Sequence, residues 1–79
     1  MGLKNISIAA FRAFLLYKGL THVSTKGGHE KWSKKGIQRP VIFQTHIDPV
    51  PEFVIRKNLS AMECTRNELE LWLNPHHKK

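Results

Sequence analysis

Acidic side chains are scarce in this chain of 79 residues: six Asp and Glu stand against thirteen Lys and Arg, a formal charge of +7 at pH 7. On so small a surface that excess produces a positive potential over much of the molecule, and an anionic partner is expected. Cysteine is scarcer still. Cys64 is the only one, so an internal disulfide is excluded, and a lone thiol suits a reducing compartment; the cytoplasm is the expected location. One Cys and scattered His do not give the clustered spacing that zinc needs, and neither a phosphate-binding P-loop nor a dinucleotide fingerprint occurs, so no metal and no cofactor is expected. Long apolar runs are missing as well. The stretch 6–16 is broken by Ser7 and Arg12, is too short to cross a bilayer and is followed by no small-residue cleavage site. A basic amphipathic membrane helix is also disfavoured, because the N-terminal helical region carries only Arg12 and Lys18 as cations.

What is present reads as one small globular domain. Hydrophobic residues make up 41% and charged residues 24%, too apolar for a disordered chain. Residues 1–74 are assigned to that domain and 75–79, with His76 and His77, to a mobile basic tail. Ser7 is a helix N-cap, Ile6, Ala10, Ala13, Phe14 and Tyr17 lie near one face at helical spacing, and Gly19 is placed to end the helix. Residues 20–25 mix β-branched and polar types in near alternation, predicting a half-buried strand. Lys26-Gly27-Gly28 is a hairpin-type turn, with a second strand over 29–34. Val41 to Thr45 is the stretch richest in β-branched and aromatic residues and is expected to be the best buried strand. Pro51 then opens a helix whose Ile55, Leu59 and Met62 share a face. Thr65-Arg66-Asn67-Glu68 is a capping-box pattern ahead of Leu69, Trp72 and Leu73, and Asn74-Pro75 ends that helix. The order is α-β-β-β-α-α, an α+β fold with a three-stranded antiparallel meander and helices on one face, as in double-stranded-RNA-binding domains.

Chemistry concentrates in Lys26-Gly27-Gly28-His29-Glu30-Lys31-Trp32. Strand alternation puts His29 and Lys31 on one side, opposite Glu30 and Trp32; Trp32 is the natural core residue, which leaves His29 and Lys31 accessible. An imidazole titrates near neutrality, at about 6.5 when unperturbed, so it can take or give a proton at working pH. In RNA the 2′-hydroxyl adjoins the scissile phosphate. Cleavage then needs a group to remove its proton, charge to stabilise the phosphorane and a proton for the leaving 5′-oxygen, without a metal. His29 is the candidate proton carrier, Lys26 or Lys31 the charge stabiliser, and His46 the candidate second carrier. Competing readings make His29 a surface turn residue and His46 a residue that caps the loop or bonds Asp48. His22 reads as a satisfied surface residue, Cys64 as a partly buried thiol, and Phe11, Phe14, Trp32, Phe43, Phe53 and Trp72 as core. Lys31, Lys34, Lys35, Arg39, Arg56 and Lys57 would form a phosphate-tracking groove if they converge.

Three segments in order, Gly27-Gly28-His29, then Val41-Ile42-Phe43-Gln44-Thr45-His46, then Ile55 to Leu59 with Thr65 to Leu69, make the chain from about Ser7 to Leu73 resemble the HicA (YcfA-like) family of bacterial toxin mRNA interferases. The family's Gly-Ser-His reads Gly-Gly-His here, and the glycine usual between its last two helices is replaced at Glu63-Cys64. The resemblance implies a metal-independent endoribonuclease that uses His29 on mRNA, with Lys26, Gly27 and Gly28 beside the substrate and a HicB antitoxin as protein partner. Two other readings fit the same charge: a non-catalytic RNA-binding module, and a small basic adaptor for an acidic protein.

Overall fold

The computed structural model describes residues 5–73, and its elements follow from local sequence chemistry. Helix α1 spans Ile8–Tyr17. Ser7 caps it, its Oγ accepting from the Ala10 amide at 3.0 Å, and Asp48 adds a cap from a distant loop, its Oδ1 accepting from the Ile8 amide at 3.1 Å. The helix closes where the amides of Gly19 and Leu20 donate to Leu16 and Leu15 at 3.0 and 2.9 Å. Its core face differs from expectation. Ile8, Phe11, Phe14 and Leu15 are buried, whereas Ala13 and Tyr17 are exposed. A helix apolar on nearly every side carries little periodicity of its own, and packing chooses the face: Phe11 meets Phe43 of the sheet edge-to-face at 5.3 Å.

Strands β1 (Thr21–Lys26), β2 (His29–Ser33) and β3 (Val41–Gln44) form an antiparallel sheet in the order β1-β2-β3. Lys26 pairs with His29 across a two-residue turn in which Gly27 and Gly28 both take positive φ, 58° and 81°, the type I′ geometry that matches strand twist and that residues with a Cβ resist. β1 is not half-buried as its alternation predicts. Of its residues only Ser24 is even partly covered, because β1 is an edge strand and its register slips between His22 and Ser24; the buried residue is Leu20, just before it. β2 buries Glu30 and Trp32, and β3 buries Val41 and Phe43, all on one face, beneath the helices. β3 is therefore buried no more completely than β2, since its other face, Ile42 and Gln44, is open.

Helix α2 (Glu52–Met62) follows Pro51, which takes the cap position rather than the first turn. It buries Ile55, Leu59 and Met62 as the spacing predicts, and also Asn58. The Asn58 amide pairs with the outer edge of β3, accepting from the Ile42 amide at 3.3 Å and donating to the Ile42 carbonyl at 2.9 Å. One side chain thus mimics a neighbouring strand and blunts that edge. The helix ends in a Schellman turn in which Glu63 N–H donates to Ser60 and Cys64 N–H to Leu59, with Glu63 at φ 61° in the left-handed region. Helix α3 (Arg66–Leu73) opens with the capping box, Glu68 N–H to Thr65 Oγ1 at 3.1 Å and Thr65 N–H to Glu68 Oε2 at 3.2 Å. Its expected end at Asn74-Pro75, the tail 75–79 and its two histidines lie outside the described residues. Among the described residues no helix is long and apolar enough to cross a membrane. The architecture is the expected α+β order.

Candidate nucleic-acid interface

Cross-strand partners face the same side, so the register defines the surface. Lys26, His29 and Gln44 form one row on the open face, and Ser24, Lys31 and Ile42 the next. Lys26, His29, Lys31, Ile42 and Gln44 are all exposed there. The two-residue turn decides where Lys26 goes, because it pairs Lys26 with His29 and so puts both on one side; the register slip lies further back, between His22 and Ser24, and sets His22 opposite core-facing Trp32. The predicted grouping of His29 with Lys26 and Lys31 is therefore realised.

His46 comes to the same corner by another route. Thr45 binds the hairpin twice, its amide and hydroxyl donating to the Gly28 carbonyl at 2.8 and 3.3 Å. The next side chain, His46, lies over Gly28: a Cβ built on that glycine would stand 3.4 Å from His46 Nδ1 and 3.5 Å from Cε1. Both candidate histidines thus border Gly28, His29 by sequence and His46 by packing. Asp48 is occupied at the α1 amide of Ile8, so the alternative in which it bonds His46 is not what is found.

The remaining cations separate into those with intramolecular partners and those without. Arg12 bonds Glu30, Lys18 bonds Glu68 and Arg66 bonds Glu70. Lys34, expected at the interface, is instead partly buried, its Nζ donating to the Lys18 carbonyl at 2.7 Å and satisfying a helix-end acceptor. Placed beside the carbonyls of α1's last turn, this ammonium is engaged within the fold. The side chains of Lys26, Lys31, Lys35, Arg39, Arg56 and Lys57 form no hydrogen bond or ion pair with any described residue, and all six residues are exposed. Arg39 and Lys57 converge on an open groove with Pro40, Ile42, Asn58 and Ala61. Ile42 belongs to both the groove and the row containing Lys31, so groove and open face are continuous. Lys35 lies in the turn after β2 and Arg56 on α2, outside the groove lining.

Behind the open face stands a network that sequence reasoning missed. Glu30 is buried and accepts from Arg12 Nη2 at 2.8 Å, from Arg12 Nε at 3.1 Å and from Trp32 Nε1 at 2.9 Å. Burial alone pushes that carboxyl up, but the bonds from Arg12 and Trp32 and the Arg12 charge outweigh it and hold the group below the usual carboxylate range. The same bond raises the Arg12 guanidinium. Glu30 thus fixes β2 from below while His29 and Lys31 project on the other side. The available signal was the i, i+2 spacing of Glu30 and Trp32, which placed them together; Arg12, on another element, carried none.

Other assignments sort cleanly. His22 is exposed, bonded to Thr25 Oγ1 at 2.7 Å and set edge-on to Trp32, consistent with a satisfied surface residue. Cys64 is half-buried, and burial pushes its thiol up, the opposite of what a nucleophile needs. Phe53, read as core, is 66% exposed, because the inward face of α2 is taken by Ile55, Asn58, Leu59 and Met62. Trp72 is partly buried against Phe14 and Tyr17. No family, no curated protein and no solved structure matches the chain.

Proposed function

We propose that this protein is a metal-independent endoribonuclease of the HicA type, a toxin that cleaves mRNA in the cytoplasm through His29 and is neutralised by a HicB-like antitoxin covering its cationic face. One observation carries the reading: an exposed imidazole stands on an open sheet face between two lysines, Lys26 and Lys31, that no carboxylate of the described chain neutralises. An anion is the missing counterpart of such a surface, and phosphodiester RNA supplies both the anion and its own nucleophile. His29 handles a proton of the reaction, and the lysine ammonium groups stabilise the phosphorane charge. The groove between Arg39 and Lys57 continues the positive track beyond Ile42 and suits a neighbouring phosphate.

Purified protein is expected to degrade RNA in EDTA, and His29→Ala to lower the rate by a factor of about 10² or more while leaving the fold intact, since a positioned acid or base contributes about 10² to 10⁴. Equal degradation by both proteins removes His29 from the chemistry. Salt-sensitive binding with RNA recovered intact supports a non-catalytic module instead.

A further inference from the structure

We infer that His46, whose ring rests against the bare α-carbon of Gly28, is the second proton carrier of the proposed cleavage. The inference rests on the ribonuclease reading and deepens it. A hairpin glycine at the second turn position is explained by φ 81° alone, but the turn does not explain why an imidazole rests on it. A Cβ there would sit 3.4 Å from Nδ1 and 3.5 Å from Cε1, at van der Waals contact, so the ring lies directly against the turn. Thr45, held by two bonds to the Gly28 carbonyl, fixes the backbone just before His46, so the placement is anchored. His46 is exposed, and no hydrogen bond of the described chain occupies its ring. The two imidazoles therefore flank one glycine at the open corner of the sheet, with Lys26 alongside.

Two imidazoles balance the reaction. One accepts the 2′-hydroxyl proton as O2′ bonds to phosphorus; the P–O5′ bond breaks, its electron pair goes to O5′, and the other, entering as imidazolium, gives O5′ a proton. The products are a 2′,3′-cyclic phosphate and a 5′-hydroxyl, with no co-reactant.

The test uses the full chain, His29→Ala and His46→Ala, with an RNA oligomer carrying either the normal 5′-oxygen or a 5′-bridging sulfur at the bond the parent protein cuts. A sulfur leaving group needs no proton, so the variant lacking the acid regains activity on it. We expect each histidine variant to lose about 10² or more on the oxygen substrate. One of the two, and only one, should return to within about tenfold of the parent on the sulfur substrate, the proton-donor contribution of about 10² to 10⁴ then being no longer needed. Parent-like cleavage of the oxygen substrate by His46→Ala overturns the inference while leaving the ribonuclease reading intact. Equal losses on both substrates by both histidine variants also overturn it, making His46 structural. A parent that cuts neither substrate removes the reading and the inference together. Circular dichroism of each variant separates lost chemistry from lost folding.

Discussion

Glu30 shows how much one side chain decides. Its carboxylate lies 4% exposed and holds Arg12 and Trp32 at once. Glu30→Ala should cost about 2–3 kcal/mol, because it strands the buried indole N–H and frees a guanidinium. The sign with pH follows from the lowered carboxyl. Its stabilising contribution is fully present above the unfolded-state value of about 4.3 and is lost as pH falls through the lower folded-state value. Thermal melts from pH 7 to pH 2 should show the parent losing stability below about pH 4, and Glu30→Gln losing distinctly less over that window. A flat parent profile contradicts this account of the network. Glu63 offers the opposite case, a side chain at a backbone position that disfavours one: Glu63→Gly should raise stability by about 0.5–1 kcal/mol by relieving the left-handed φ of 61°. Only part of this was legible in sequence. Alternation placed Glu30 beside core-facing Trp32, but no spacing announces its cationic partner, which lies 18 positions away and is brought over it by the fold.

Among the elements, the signals that were local came through and those that depended on neighbours did not. The Ser7 cap, the Gly27-Gly28 turn and the Thr65-Glu68 box are each written within four residues, and each is present. The buried side of α1 and the exposure of β1 depend on which surfaces meet, and there periodicity misled. For the site, alternation in β2 correctly separated His29 and Lys31 from Glu30 and Trp32. That Lys26 shares their side follows from its pairing with His29 across the Gly27-Gly28 turn, whereas the slip between His22 and Ser24 is announced by no pattern. Lys34 was indistinguishable in sequence from its neighbour Lys35, and only packing shows it closing α1. Lys34→Ala is therefore expected to lower the melting temperature and leave RNA affinity close to the parent's, whereas Lys31→Ala should weaken binding with the fold intact. The β3 edge makes a further prediction. Asn58→Leu removes both bonds to Ile42 and should cost about 1–3 kcal/mol, with a rise in concentration-dependent association seen by light scattering as the edge becomes free to pair.

At the scale of the whole molecule, charge is organised by what is already neutralised. Three basic groups are engaged with carboxylates and Lys34 with a carbonyl, while six exposed cations of the described chain remain for an external anion. If all six meet phosphates of single-stranded RNA, log affinity should fall against log salt with a slope of about −4, and each of Lys26, Lys31 and Lys57 replaced by Ala should shallow it by somewhat under one unit. Titration at four salt concentrations measures this, and a slope near zero rules out phosphate tracking. Whether His29 works on RNA strands whose own hydroxyl is the nucleophile is decided by end-group analysis of RNA incubated in EDTA with the parent and with His29→Ala. The parent should leave 2′,3′-cyclic phosphate and 5′-hydroxyl ends that the variant does not produce; intact RNA, or ends made equally by both proteins, contradicts it.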